Sequence, residues 1–174
     1  KETVAGFLES SAPYDRTRKL EAEQGWDAEL WQRVCEQGFL GLAFDESLGG
    51  GGGSLLELGL LVEEFARRAV MVPILEVAVA GRALQADPAL AADWVPRILA
   101  GRAVPVPAIL ESADDFGKMT LEVGPDGLLS GTKYFVDYGQ HATHHLVAAV
   151  EGGEPAFFLV ETGAAGVECE ALLS

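Results

Sequence analysis

The stretch LGGGGGSLLELGLLVEEF, Leu48 to Phe65, runs five consecutive glycines straight into an apolar, periodic segment. A glycine-rich turn ahead of a helix is either a phosphate cradle or a connection between packed helices. A Walker loop needs Lys-Ser or Lys-Thr after its last glycine, and here Ser54-Leu55-Leu56 follows. A dinucleotide fingerprint needs a strand in front and G-x-G-x-x-G spacing. The preceding GLAFDESL (41–48) carries polar turn residues, and Ser54 takes the sixth place. The phosphate reading fails on context. The glycines are read as a flexible connection at a tight corner between helices, where positive φ and close backbone approach are needed.

The rest of the front half follows from that corner. Ser54 and Glu57 form an S-x-x-E capping box, and Leu55, Leu58, Leu61, Val62 and Phe65 form the expected buried stripe of the helix. Arg67 and Arg68 lie at its end, where the helix dipole favours cations. Glu63 and Glu64 read as a solvated face. Upstream, Glu2–Ser10 is predicted helical with Val4, Phe7 and Leu8 on one face, and Pro13 stops it. DRTRKLEAEQG (15–25) is a loop or a frayed helix. Asp27 is placed to cap AELWQRVCEQG (28–38), whose stripe is Leu30, Trp31, Val34 and Cys35 and whose closing residue is Gly38. Downstream, PILEVAVAGRALQ (73–85) is predicted helical with Pro73 in its first turn. Asp87-Pro88 starts a further helix that Pro96 is expected to break before RILAG (97–101).

After Gly101 the period changes. VPVPAILE (104–111), KMTLEVG (118–124), LLSGTKYFV (128–136), HHLVAAV (144–150), PAFFLVE (155–161) and GVECEA (166–171) are short runs that favour strands. GPDG (124–127) and EGGEP (151–155) are turn signals between them. The predicted class is α+β: an all-helical N-terminal domain over 1–103, then an antiparallel, β-barrel-like domain over 104–174.

The totals narrow the function. Of 174 residues, 49% are apolar, enough for a core, and no apolar run reaches the roughly 18 residues of a membrane helix. The formal net charge of −15 argues against nucleic acid and against an acidic membrane surface as partners. No basic-then-apolar leader is seen, so nothing suggests export, and the first residue is Lys, so the true start is expected to be missing or removed. Cys35 and Cys169 lie far apart without ligand spacing. A reduced cytoplasmic protein is the plain expectation, and a disulfide between them stays open.

These segments, in this order, carry a resemblance. LWQRVCEQGFLGLAFDESLGGGGGSLLELGLLVEEFARR (30–68) resembles the N-terminal helical domain of acyl-CoA dehydrogenases, with its GL-x-x-Pro-Glu-x-x-Gly-Gly-x-Gly loop; Asp45 stands at the Pro place and Glu46 keeps the acid. WVPRILAGRAVPVPAILE (94–111) resembles the family's Leu-Pro-x-Leu-Ala-x-Gly stretch leading into the middle domain. LSGTKYFVDYGQHATHHLVAA (129–149) resembles its Leu-x-Gly-x-Lys-x-Trp-Ile-Thr strand pair. The resemblance implies FAD-dependent α,β-dehydrogenation of an acyl-CoA thioester in fatty acid metabolism. It also implies an electron-transfer flavoprotein or another acceptor as partner, and a homo- or hetero-oligomer. The helical half would wall the acyl pocket and the β-half would face the flavin. The family's catalytic base is a Glu in a C-terminal helical domain. The chain reaches Ser174 within the β-domain, so no catalytic residue is assigned, and the chain alone is expected to be inactive.

The resemblance places FAD contacts at Ile109, Leu110, Glu111, Phe135, Val136 and Asp137. Leu110, Glu111 and Ser112 stand where the family has Thr-Glu-Pro, and Asp115 and Phe116 where it has Gly-Ser. The Thr hydroxyl is gone at Leu110, but its backbone N–H remains a donor. Phe135 replaces the Trp that stacks on the ring. Asp137 replaces a Thr or Ser, and an ionised carboxylate offers no donor. Two readings follow: a divergent dehydrogenase that holds FAD through backbone groups, or a non-catalytic subunit with a degenerate flavin site beside an active partner. A third, a helical scaffold with a β-module and no ligand, stands behind them. His141, His144 and His145 cluster without a neighbouring carboxylate or cysteine in sequence, so no metal site is assigned. Trp26, Trp31 and Trp94 read as core or rim aromatics.

Overall fold

A computed structural model describes residues 2–22, 25–112, 115 and 117–171. The chain divides into two compact units, Lys1–Ala103 and Val104–Ser174. The first is built from helices α1 (Glu2–Ser11), α2 (Tyr14–Ala22), α3 (Ala28–Glu36), α4 (Leu55–Arg67), α5 (Ile74–Gln85) and α6 (Pro88–Leu99). The second holds strands β1 (Pro105–Ala108), β2 (His144–Glu151) and β3 (Glu154–Glu161).

Local signals set the helix ends. Asp27 accepts from the backbone N–H of Leu30 at 2.9 Å, and Gly38 closes α3 with φ of +72°. Leu30, Trp31, Val34 and Cys35 are all buried, as their spacing requires. Burial and the charge of Glu36 together push the Cys35 thiol up to about 12, so it stays protonated. Both cysteines are free thiols. The capping box of α4 forms, with Glu57 accepting from the Ser54 backbone N–H at 2.8 Å.

Several helix details refine or correct the expectation. Within 15–25, residues to Ala22 are helical, because Arg16 reaches across to both Asp27 and Glu29 and ties α2 to the start of α3; Glu23 and Gln24 lie outside the described residues. Asp27 is itself buried, which opposes its charge, but the Arg16 guanidinium holds its carboxyl below the usual range. Pro73 is the residue before α5 and not within its first turn. α6 runs through Pro96 to Leu99. Pro96 is on the exposed side, where water can serve the carbonyl it leaves unpaired, while Val95 and Ile98 beside it are fully buried. On α4, Leu55 is 68% exposed, whereas Leu58, Leu61 and Phe65 are buried. Glu64 is buried as well, with Arg67 at 3.6 Å, so only Glu63 fits a solvated face.

The glycine run is a packed strap. The N–H groups of Gly50, Gly51 and Gly52 donate to Asp45, Gly41 and Phe44 carbonyls at 2.9, 2.7 and 2.9 Å. A Cβ on Gly50 would lie 2.2 Å from the Phe44 carbonyl oxygen, and one on Gly53 would lie 2.6 Å from that of Leu42. The glycines are needed for close approach, and their conformation is fixed by hydrogen bonds, not flexible.

The sheet has the order β1-β2-β3. β2 and β3 are antiparallel, joined by a two-residue turn at Gly152 and Gly153 with φ of +61° and +89°. β1 is parallel to β2, pairing Pro105 with His144, so the sheet is mixed. It is open: the α+β class holds, and the three described strands do not close a barrel. VPVPAILE shortens to β1. KMTLEVG and LLSGTKYFV contribute isolated bridges, Glu122 to Val150 and Val123 to Leu129, and GVECEA contributes no strand. Positive φ at Phe135, Gly127 and Gly166 interrupts the extended runs.

Gly50→Ala is expected to destabilise the chain by about 3 kcal/mol or more, because the new methyl meets backbone, not a movable side chain. Gly59→Ala, in open space on exposed α4, is expected to stabilise it by about 1 kcal/mol. Midpoints of urea denaturation compare the two.

Candidate functional site

Six backbone and side-chain links assemble the site in the second unit. The Tyr134 N–H donates to the Leu110 carbonyl at 2.8 Å. One residue back on each stretch, Lys133 Nζ donates to the Ile109 carbonyl at 3.1 Å. Lys133 also pairs with Glu111 Oε1 at 2.6 Å. Glu111 Oε2 accepts from the Thr120 N–H and hydroxyl, each at 2.7 Å, and Glu111 Oε1 accepts from the Leu121 N–H at 3.1 Å. The expected residues 109–111 and 135–137 are thus brought to one place, through residues 133 and 134.

Each expected site residue has a distinct setting. Ile109 is 40% and Phe135 53% exposed. Among the described residues, no hydrogen bond takes up the backbone N–H of Leu110 or of Phe135. Phe135 has φ of +53° and Tyr138 has φ of +56°. A non-glycine residue there costs on the order of 1–2 kcal/mol, so the arrangement is held by its surroundings. Val136 accepts from the Gly139 N–H at 3.0 Å, closing the turn that carries exposed Asp137. Asp115 accepts from the Gly117 N–H at 3.1 Å. Phe116 lies outside the described residues.

The histidines separate. His144 and His145 alternate across β2, and His144 Nδ1 lies 3.0 Å from Thr143 Oγ1. His145 is buried, with Nε2 3.0 Å from the Gly139 carbonyl and 3.9 Å from Cys169 Sγ. Sequence reasoning missed Cys169 here, since no spacing rule links residues 145 and 169. Among the described residues, no three His, Cys, Asp or Glu side chains gather closely enough to hold a metal ion. Trp31 is fully buried, while Trp26 and half-buried Trp94 sit at the rim, Trp94 under Arg97 at 5.1 Å. In the helical unit a groove of about 100 Å³ is lined by Val4, Leu42, Glu57, Leu60 and Leu61. It is below the roughly 300 Å³ of ligand pockets.

Electrostatics single out Glu111. Burial opposes its charge, but Lys133, Thr120 and the Leu121 N–H outweigh it and hold the carboxyl down to about 2, against an ordinary 4.5. A depressed carboxyl stabilises the fold fully above the ordinary value and loses that contribution as pH falls toward the depressed one. Glu111→Gln is therefore expected to melt well below wild type at neutral pH, with the gap narrowing between pH 4.5 and about 2. Thermal midpoints across the acid range read this.

The acyl-CoA dehydrogenase N-terminal domain family matches residues 1–102. Acyl-CoA dehydrogenase FadE27 of Mycobacterium tuberculosis is 33% identical over 153 residues, covering 86% of this chain and 41% of the relative. The ChsE4-ChsE5 complex from Mycobacterium tuberculosis superposes with a TM-score of 0.85 at 29% identity, over 98% of this chain and 48% of that one. A glutaryl-CoA dehydrogenase from Mycobacterium smegmatis, solved with FADH2, has the same fold, with a TM-score of 0.83 at 21% identity over 95% and 45%. The chain spans about two-fifths of the length of FadE27. With 102 of 174 residues matched and the helical and β units in the family's order, the chain belongs to the acyl-CoA dehydrogenase family.

Proposed function

We propose that this chain is the helical and β portion of an FAD-dependent acyl-CoA dehydrogenase that removes hydrogen from Cα and Cβ of an acyl-CoA thioester. The observation that carries the reading is Phe135: an exposed ring on strained backbone, beside a Leu110 N–H that no described residue takes up. Strain of this kind gathers at ligand sites. The residues fit a flavin edge, which offers acceptors to backbone donors and a flat face to an aromatic ring. Leu110 would donate through its backbone, and Phe135 would cover the ring; Ile109 and Val136 would exclude water. FAD supplies hydride acceptance when bound. The proton from Cα needs a base, and the family places that carboxylate beyond the part matched here, so the reaction belongs to the whole protein. A cytoplasmic setting and transfer of electrons to a flavoprotein or another acceptor complete the proposal.

A second reading is favoured by two side chains. Leu110 has no hydroxyl, and Asp137 brings a negative charge where a neutral donor is expected. A subunit that keeps the fold, lacks flavin and assembles with an active dehydrogenase chain fits them, and its likeness to a solved two-component complex supports it.

The full-length protein is expected to show the visible absorption bands of bound flavin, and Phe135→Ala to weaken FAD about tenfold, or about 1.4 kcal/mol. A colourless protein in stoichiometric complex with a second dehydrogenase chain would replace the first reading with the second. Absence of flavin and of any acyl-CoA binding, in every assembly, would leave only a scaffold.

A further inference from the structure

The links at Glu111 and Lys133 join three stretches that are remote in sequence. The Glu111 and Lys133 side chains are only 8% and 7% accessible. Both carboxylate oxygens are engaged, Oε1 by Lys133 and Leu121 and Oε2 by Thr120. Such a carboxylate has no oxygen turned to a ligand. It belongs to the site in another capacity.

Lys133 and Tyr134 dock in succession on Ile109 and Leu110, at 3.1 and 2.8 Å. The next residue is Phe135, where the backbone turns to positive φ. A strained residue persists where its neighbours over-determine it, and here the over-determination comes from the residues immediately before it. The same ion pair fixes the stretch that presents the Leu110 N–H. The two groups assigned to the flavin are therefore set by one contact that touches neither.

We propose that the Glu111–Lys133 pair is a positioning device for FAD, holding 109–111 against 133–135 so that the Leu110 donor and the Phe135 ring are presented together. The inference rests on the proposed FAD reading. A pair that served only stability would lower the melting point and leave the flavin environment of the folded fraction unchanged.

The test uses the full-length protein and reads the FAD dissociation constant and the visible circular dichroism of bound flavin. Glu111→Gln and Lys133→Met are each expected to weaken FAD about tenfold and to alter the flavin dichroism. The double variant should be no worse than the weaker single, as for one shared interaction. Lys133→Arg keeps a cation that can serve both Glu111 and Ile109, and should return affinity to within about threefold of wild type. Thr120→Val removes one of Glu111's donors and leaves the ion pair. It should shift affinity about threefold, and it decides the matter if the charge variants do not fold. Folded variants with wild-type affinity and dichroism would overturn the positioning role while FAD binding stands. A wild-type protein that takes up no FAD would defeat the FAD reading itself, and this inference with it.

Discussion

The ring and carbonyl of Phe44 occupy a place where no neighbouring side chain can stand. Its carbonyl takes the Gly52 N–H, and a Cβ on Gly50 or on Gly81 would collide with its carbonyl or its ring. Phe44 is 1% exposed. Gly81 belongs to α5, and Ile98 of α6 lies 3.2 Å from the same point, so one aromatic residue locks two helices and the glycine strap together. Arg82, beside Gly81, reinforces the joint by donating to the Ala43 carbonyl at 2.9 Å. The entry to α4, its capping box and its buried face follow from where the strap ends.

Helix ends were legible because they depend on few residues. Asp27, Gly38, Ser54 with Glu57, and Asp87 act on partners within three or four positions, so local spacing suffices. Pro96 and Leu55 were misread because tertiary burial decides them. Buried neighbours carry a proline through the last turn of α6, and a stripe at the right spacing still leaves its first member in water. The strands were harder. A short apolar run becomes a strand only if another run lies alongside. β2 and β3 meet through a tight glycine turn, whereas 128–136 bends away at Phe135.

The stretches 109–111 and 135–137 were legible as neighbours, and the contacts that join them were not. Resemblance located 109–111 and 135–137, and the structure brings these stretches together. The resemblance gave no role to Lys133, Thr120 or the Leu121 N–H, which complete Glu111 from twenty-two, nine and ten residues away. No periodicity encodes such a contact. A hint lay in charge: with 12 basic residues against 27 acidic, a lysine inside an apolar, strand-forming run needs a partner. Cys169 beside His145 was invisible for the same reason, since it depends on where the chain returns after β3.

The two margins of the sheet are chemically unlike. Along β1, Pro105 and Pro107 lack the donors that a further strand would use, so that border cannot recruit one. Among the described residues β3 is the other border, and it carries the run Ala156-Phe157-Phe158-Leu159-Val160 with Phe157 57% exposed. Pro155 within the strand and the flanking Glu154 and Glu161 discourage another chain from adding there. Any unwanted strand addition to this unit would therefore be one-sided, along the apolar run of β3.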